Sequence, residues 1–354
     1  MQQAHPKLTY NNLGRSGLKI SKFAFGNWVN DEANEDAQAT ANKLVKAAWD
    51  AGINFFDTAE LYGAGDGERQ MGNAVRALGV PRSDYVITTK IFFGKFPDNT
   101  NAVNNMGTSR KRLIEGLDRS LKNLQLDYVD VLFCHRYDDD TPTREVVETM
   151  KELIAQGKIL YWGTSTWPGA RVIEAILLAD ILGCPRPIAE QCQYNMLVRG
   201  PVEKEYVESI DDYGLGTTTW SPLCSGILTG KYNEGIPEGS RFSKENQASW
   251  VRELFLGGNK REALVPKLVK LGEIATRLGC TQAQLAIAWV ALSKDVSTVL
   301  IGARTLKQLE DNLGALDVLE KLTPEIQAEI ETILDNRPDR GLHFRNNAPL
   351  PPRR

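Results

Sequence analysis

The sequence predicts an α/β fold in which eight strand–helix units close into a (β/α)8 (TIM) barrel. Short apolar runs typical of β-strands alternate with amphipathic helical runs along most of the 354 residues. Repeated strand–helix units imply a parallel sheet with right-handed crossovers, and eight of them can close on themselves. The alternative is an open doubly wound sheet. It is disfavoured because no G-x-G-x-x-G pattern follows the first strand, which runs into Gly26, Asn27 and Trp28.

The individual elements follow from apolar periodicity and turn residues. A hairpin with strands at 8–10 and 18–20 is expected to close one barrel mouth. Barrel strands are predicted at residues 22–26, 54–59, 85–91, 128–135, 160–165, 189–194, 217–223 and 297–302. Helices are predicted at residues 36–51, 67–78, 109–124, 143–156, 168–182, 202–213, 263–278, 282–293 and 306–316, with a last, outer helix at 324–336.

Residues 1–336 are expected to form a single domain, followed by a polar, proline-rich tail at 337–354. The connection 224–262, after the seventh strand, is unusually long. Such loops in compact domains are usually functional lids or disordered segments. Its side chains that suit a clamp on a bound cofactor are Lys231, Tyr232, Arg241 and Trp250.

Composition excludes several classes of protein. The charge balance of 42 basic and 45 acidic side chains provides no overall basic field for nucleic acid or a membrane surface. No apolar run is long enough to span a bilayer, and the first residues lack a secretory pattern. The five cysteines are scattered, so neither a disulfide framework nor a metal site is indicated. We expect a cytoplasmic protein with reduced thiols and no metal.

Polar residues stand where the predicted strands end, which is where barrels build their active sites. Asp57 and Tyr62 follow the second strand, Lys90 ends the third, and His135 and Arg136 end the fourth. Taken singly, each has a structural explanation: a helix cap, a packed ring, a solvated ammonium or a core histidine. Together, at successive strand ends, they are expected to converge on one point.

The set fits the reduction of a carbonyl group, whose developing alkoxide needs a proton. A phenol has an ordinary pKa of about 10, and a nearby ammonium lowers it. Lys90 is expected to act in this way on Tyr62, with Asp57 keeping Lys90 charged and His135 holding the substrate oxygen.

Several segments resemble the aldo-keto reductase superfamily from about residue 8 to residue 336. They read GINFFDTAELYGAGDGERQMG (52–72), VITTKI (86–91), LDYVDVLFCHR (126–136) and YWGTS (161–165). Three others are very similar to the branch containing voltage-gated potassium-channel β-subunits and their plant and microbial relatives. These read WSPLCSGILTGKY (220–232), SRKRLIEGLDRSLKNLQLDYVDV (109–131) and RLGCTQAQLAIAWVALSKDVSTVLIGA (277–303).

This resemblance implies an NADPH-binding barrel with Asp57, Tyr62, Lys90 and His135 at the catalytic tetrad positions and Tyr62 as proton donor. Animal channel β-subunits typically carry Asn at the position of His135, so this chain keeps the pattern of active reductases. The implied cofactor-binding residues are Trp28, Asp57, Ser165, Thr166, Gln191, Trp220, Ser221, Pro222, Leu223, Ser225, Lys231, Arg241, Gly302, Arg304, Gln308, Asp311 and Asn312. Many family members have Arg in place of Gln308, and Arg241 and Arg304 are expected to compensate.

Substrate-pocket candidates on the βα loops are Asn27, Trp28, Tyr62, Phe92, Arg136 and Trp167. Arg136 suits a carboxylate or polar tail, or alternatively an ion pair with Asp138–Asp140 at the surface. The main functional hypothesis is NADPH-dependent reduction of aldehydes or ketones. The alternative is a regulatory subunit of a potassium channel that uses bound NADPH as a redox sensor. A phosphate-binding barrel isomerase is disfavoured because the tetrad is present. The resemblance also implies a dimer or tetramer.

Overall fold

The computed structural model describes residues 5–28, 35–94, 103–243 and 249–340. It confirms the predicted (β/α)8 barrel. Eight parallel strands close in the order β10-β3-β4-β5-β6-β7-β8-β9. The barrel strands are β3 (Phe23–Gly26), β4 (Phe55–Asp57), β5 (Val86–Ile91), β6 (Val129–Cys134), β7 (Ile159–Ser165), β8 (Ala189–Gln193), β9 (Gly216–Trp220) and β10 (Thr298–Ile301).

The N-terminal hairpin closes the amino end of the barrel, as predicted. Its strands are β1 (Tyr10–Asn12) and β2 (Lys19–Ser21), shifted by one or two residues from the predicted positions. Leu13 and Ile20 are fully buried and pack into the barrel interior against Phe55 and Val131. The backbone of Arg15 donates to the carbonyl of Gly214, just before β9, which fixes the hairpin to the barrel wall.

The helices surround the barrel in the predicted order. They are α1 (Glu35–Asp50), α2 (Asp66–Ala77), α3 (Arg110–Leu124), α4 (Thr143–Ala155), α5 (Gly169–Leu182), α6 (Val207–Asp211), α7 (Ser249–Leu256), α8 (Lys260–Arg277), α9 (Gln282–Leu292), α10 (Leu306–Leu313) and α11 (Pro324–Leu334). Ser109, Thr281 and Thr323 cap α3, α9 and α11 through their side-chain oxygens. In the described ranges, no helix has the length and apolarity needed to cross a membrane.

Two predictions about the helices are corrected. No helix was predicted within the long connection 224–262, but it contains a 3₁₀ turn (Cys224–Thr229) and the helix α7. The helix predicted at 202–213 begins instead as a π-helical turn (Pro201–Glu205) and continues as the short α6. Of the predicted tail at 337–354, only residues 337–340 lie within the described part of the chain.

The alternation of side chains along the neighbouring strands β4 and β5 positions the site. Side chains two residues apart point to the same face of a strand. On β4 this face changes from Phe55 to Asp57, and on β5 it changes from Val86 to Lys90. The inner face of each strand is therefore apolar towards the amino end and polar towards the carboxyl end.

Candidate active site

A cavity of about 620 Å³ opens at the carboxyl ends of the barrel strands. Its wall includes Asp57, Tyr62 and His135, which stand at or just beyond the ends of β4 and β6. The site therefore lies at the end of the barrel where the strand-end argument predicted it.

Lys90 joins the predicted catalytic groups from beneath the cavity wall. Its Nζ donates to Asp57 Oδ2 at 2.6 Å and to the carbonyl of Thr58 at 2.7 Å. The same Nζ lies 3.1 Å from the Tyr62 hydroxyl. The other Asp57 oxygen accepts from Thr88 Oγ1 at 2.6 Å and from Gln191 Nε2 at 3.1 Å. Both carboxylate oxygens are thus occupied, which fixes the ammonium against the phenol.

The electrostatics of Tyr62 correct one expectation from the sequence. Burial raises the pKa of Tyr62 above its ordinary value of 10, and the nearby positive charge of Lys90 only partly opposes this effect. Burial also opposes the charge on Lys90, but Asp57 and Tyr62 outweigh it, so the pKa of Lys90 is raised. At neutral pH the phenol therefore keeps its proton and the amine is an ammonium ion.

His135 completes the group of four polar side chains. Its ring centroid lies 6.2 Å from that of Tyr62 and 5.3 Å from that of Phe93, edge to face in both cases. Burial, together with the charges of Lys90 and Arg136, holds the pKa of His135 well below 6.5. A neutral imidazole offers one N–H donor, which suits a hydrogen bond to a substrate oxygen.

Three basic side chains lie at the other end of the cavity: Lys231, Arg241 and Arg304. Burial and the charges of the two arginines lower the pKa of Lys231. Mutual repulsion of this kind is relieved when an anion binds, so this end of the cavity suits a polyphosphate. The Arg241 guanidinium also stacks over the Trp28 ring, 4.2 Å from its centroid.

The loop after β9 is strained. Ser221, Cys224 and Ser225 all have φ between +47° and +60°, a left-handed region that non-glycine residues rarely adopt. Gly226 follows with φ of +91°, and a Cβ atom there would lie 2.8 Å from the Lys231 Nζ. Successive turns of this type aim backbone N–H groups at one point and commonly bind anions.

Glu190 on β8 supports a second strained turn. Thr166 has φ of +54°, and its backbone N–H donates to Glu190 Oε1. The other carboxyl oxygen of Glu190 accepts from Thr164 Oγ1 at 2.6 Å. Burial raises the pKa of Glu190 to about 8. This carboxyl group holds the turn beside Ser165, which lines the cavity.

Most of the residues proposed from sequence for the cofactor share this one cavity. Those that line it are Trp28, Asp57, Ser165, Gln191, Trp220, Ser221, Pro222, Leu223, Ser225, Lys231, Arg241, Gly302, Arg304, Gln308, Asp311 and Asn312. Thr166 lies outside the lining; its backbone N–H donates to Glu190 Oε1, and its side chain is exposed.

Only half of the residues proposed from sequence for the substrate pocket line the cavity. Trp28, Tyr62 and Arg136 line the cavity, whereas Asn27, Phe92 and Trp167 do not. Phe93 takes the place expected for Phe92, since the backbone after β5 leaves the regular alternation. Asn27 instead donates to the carbonyl of Gly67 at 2.6 Å and so fixes the start of α2.

Sequence reasoning also missed several lining residues, most of them apolar or glycine. They are Gly26, Leu61, Phe93, Gly226, Thr229, Gly239, Ser240, Ala283, Ile287, Leu300, Ile301 and Ala303. Ala283 and Ile287 share one face of α9. Trp250, which was expected to contact a cofactor from the long connection, lines the cavity from the unpredicted helix α7.

The closed barrel and the cavity at the carboxyl ends of its strands are the fold and the site typical of a barrel enzyme. The chain belongs to the aldo/keto reductase family, whose model matches residues 22–335. The resemblance inferred from the sequence motifs is thereby confirmed. Members of this family are oxidoreductases that generally use NAD(P)H.

Curated relatives match nearly the whole chain. It is 44% identical over 339 residues to a protein of Oryza sativa subsp. japonica named "Probable voltage-gated potassium channel subunit beta", covering 96% of this chain and 100% of the relative. An Arabidopsis thaliana protein of the same name matches with the same identity and coverage. A Schizosaccharomyces pombe protein, also named for a voltage-gated potassium channel subunit beta, is 46% identical over 328 residues, covering 92% of this chain and 93% of the relative.

Proposed function

We propose that this protein reduces aldehydes or ketones to alcohols with NADPH, reversibly, and that Tyr62 is the proton donor. The observation that carries the proposal is the contact of Lys90 Nζ with both Asp57 Oδ2 and the Tyr62 hydroxyl, directly beside the cavity. A phenol in contact with a buried, paired ammonium is suited to donate a proton and to return as a stabilised phenolate.

Each polar group has a defined task in this proposal. Tyr62 holds its proton at neutral pH and transfers it to the substrate oxygen as negative charge develops there. Lys90 then stabilises the phenolate, and Asp57 keeps Lys90 charged and oriented. His135, being neutral, donates a hydrogen bond to the same oxygen and aligns the carbonyl group.

The cavity fits a dinucleotide, which supplies a hydride to the carbonyl carbon when bound. Ser165 and Gln191 line the end near Tyr62 and offer hydrogen bonds for a carboxamide, with Trp220 as a flat aromatic wall. The strained loop and Lys231 suit a pyrophosphate. Arg241 and Arg304 favour NADPH over NADH because they add positive charge for a further phosphate group.

The names of the relatives support a second candidate, a regulatory channel subunit that holds NADPH as a redox sensor. The two functions make opposite predictions about turnover. A channel regulator binds coenzyme tightly, turns over no carbonyl substrate at a useful rate and co-purifies with a channel. In either case, five free thiols are consistent with a reducing, cytoplasmic compartment.

The test is a screen of aldehydes and ketones by loss of reduced-coenzyme absorbance, with NADPH and NADH in parallel. Wild type is compared with Tyr62→Phe and with Tyr10→Phe as a matched control. Tyr10 lies on the exposed hairpin, and its hydroxyl contacts only the carbonyl of Gly52 among the described residues.

Tyr62→Phe is expected to lower kcat by roughly 10²–10⁴-fold because general acid catalysis contributes about that much. NADPH should still quench the protein fluorescence in this variant, and Tyr10→Phe should match wild type. Near-normal turnover by Tyr62→Phe would refute the assignment of the proton donor. Tight NADPH binding without turnover of any carbonyl by wild type would favour the regulatory subunit.

A further inference from the structure

Arg136 is a charged side chain in the candidate active site that the proton-transfer chemistry leaves unused. It lines the cavity together with Tyr62 and His135 and is partly buried. A guanidinium carries five N–H donors. In the described part of the chain, its hydrogen bonds are limited to one, from Nη1 to the carbonyl of the adjacent His135 at 2.5 Å.

The surface ion pair considered for Arg136 is not formed. Across residues 5–28, 35–94, 103–243 and 249–340, no carboxylate forms a salt bridge with its guanidinium. Asp138 is engaged elsewhere, because it accepts from the backbone N–H of Thr108 at 2.7 Å and from Thr141 Oγ1 at 2.6 Å. The guanidinium instead lies over the Phe93 ring, 5.8 Å from its centroid, at the cavity wall.

The charges around Arg136 do not cancel its own. Lys90 is balanced by Asp57, and the Tyr62 phenol and His135 imidazole are neutral at pH 7. Glu190 lies close enough to interact with Arg136, but burial raises the pKa of Glu190 to about 8, so it is mainly protonated. The substrate end of the cavity therefore carries one net positive charge.

This charge is separate from the basic cluster at the other end of the cavity. Lys231 interacts with Arg241 and Arg304, whereas Arg136 interacts with Tyr62, Glu190 and Tyr206. The cluster at the far end is suited to the coenzyme phosphates. The positive charge of Arg136 is therefore available to a group that binds beside Tyr62 and His135.

We propose that Arg136 binds an anionic group of the substrate, so that the preferred substrates are small carbonyl compounds carrying a carboxylate or a phosphate. A planar guanidinium binds either group through two parallel hydrogen bonds. This inference rests on the proposed reductase function and narrows its substrate class. The Phe93 ring beneath the guanidinium provides a flat apolar wall for the body of such a substrate.

The test compares matched benzaldehydes at saturating NADPH: 4-carboxybenzaldehyde, 4-formylphenyl phosphate and the neutral 4-formylbenzamide. The amide withdraws electrons at least as strongly as the carboxylate, so intrinsic reactivity does not favour the anion. Wild type is expected to prefer an anionic aldehyde in kcat/KM by about ten- to a hundredfold, mainly through KM, because hydrogen bonds between charged groups contribute on this scale. The relative rates of the two anions distinguish a carboxylate from a phosphate site.

Arg136→Met should abolish this preference, so that the ratio of kcat/KM for the anionic aldehydes to that for the neutral amide falls to about one, mainly through a higher KM for the anions. Arg136→Lys should restore part of it. Arg144→Met is the matched control, because Arg144 is exposed on α4 and pairs with Glu148. Should Arg136→Met fail to fold, Arg136→Lys and a salt titration of wild type decide, because raising the salt from about 20 to about 500 mM should shrink the preference.

The outcomes separate this proposal from the reductase function on which it rests. A wild-type enzyme that reduces the neutral amide as well as the anions, or a preference that persists in Arg136→Met, overturns the role of Arg136 alone. Failure to reduce any of the three aldehydes, or any compound of the wider screen, counts against the reductase function itself.

Discussion

The two ends of the barrel use the same strands for different purposes. At the amino end, the inward side chains are apolar, and the hairpin residues Leu13 and Ile20 seal them from water. At the carboxyl end, the same inner faces carry Asp57 and Lys90 and open into the cavity. Along β4 the change from Phe55 to Asp57 takes two residues, which is roughly 7 Å of strand. The comparison indicates that stability and chemistry are separated along each strand, so substitutions at the two ends should have different consequences.

The largest effect is expected at the closed end. Leu13→Ala removes a fully buried side chain from the seal and should lower the free energy of unfolding by about 3–5 kcal/mol. Because Leu13 is remote from the cavity, kcat and KM below the melting transition should stay within about twofold of wild type. Denaturant unfolding and steady-state kinetics on the same sample measure both quantities. A large loss of kcat at temperatures where the variant remains folded would show that the two ends are coupled.

The converse effect is expected at the open end. His135→Phe should lower kcat for carbonyl reduction by about a hundredfold, because it keeps a ring but removes one donor to a developing oxyanion, and such a loss costs about that much. The melting temperature and the NADPH affinity should barely change, since the ring makes edge contacts with Tyr62 and Phe93 and holds no ion pair in the described residues. Calorimetry and coenzyme titration check these two controls. A variant that is active but unstable would contradict the separation.

Glu190 should give a pH-dependent effect. Burial raises its pKa in the folded protein to about 8, against about 4.3 in an unfolded chain. Between these values the folded state retains a proton that the unfolded state has lost, so stability falls as pH rises. The expected slope is at most about 1.4 kcal/mol per pH unit, and stability is fully present below pH 4. In Glu190→Gln this contribution to the slope should vanish, as measured by denaturant unfolding from about pH 5 to about pH 8. An unchanged slope in the variant would show that Glu190 ionises normally.

The smallest effect concerns the stacking of Arg241 on Trp28. Trp28→Leu removes a cation–π contact worth about 0.5–1 kcal/mol where it is exposed, so NADPH affinity should fall by about two- to fivefold. Stability should be unchanged. Fluorescence titration with Trp250→Leu as a matched control separates the stacked indole from another tryptophan of the same cavity. Equal losses in both variants would mean that the stacking itself contributes nothing.

The barrel and the convergence of the catalytic candidates were predictable because both follow from short-range rules. Apolar runs located all eight strands to within a few residues. The rule that barrel active sites lie at strand ends predicted that Asp57, Lys90 and His135 would lie close together. The N-terminal hairpin was predictable from its turn residues for the same reason.

What sequence did not predict depends on loop backbone and on burial. Phe93 rather than Phe92 faces the cavity because the chain leaves strand geometry after Ile91, and alternation no longer applies. The pKa of Tyr62 was expected to be lowered by Lys90, but the depth of burial, which no pattern reveals, outweighs that charge. The helix α7 was missed because its run of eight residues is too short for a periodic signal.

The left-handed residues after β9 also have a consequence for protein engineering. Ser221, Cys224 and Ser225 hold a backbone shape that glycine adopts without steric cost. A heat-resistant variant is therefore easier to obtain in this loop than among the barrel side chains, which already fill their space. Ser225→Gly would relieve strain of about 1 kcal/mol, but it would also give up a hydroxyl that lines the cavity. A single substitution at this position would then raise thermal stability and weaken coenzyme binding.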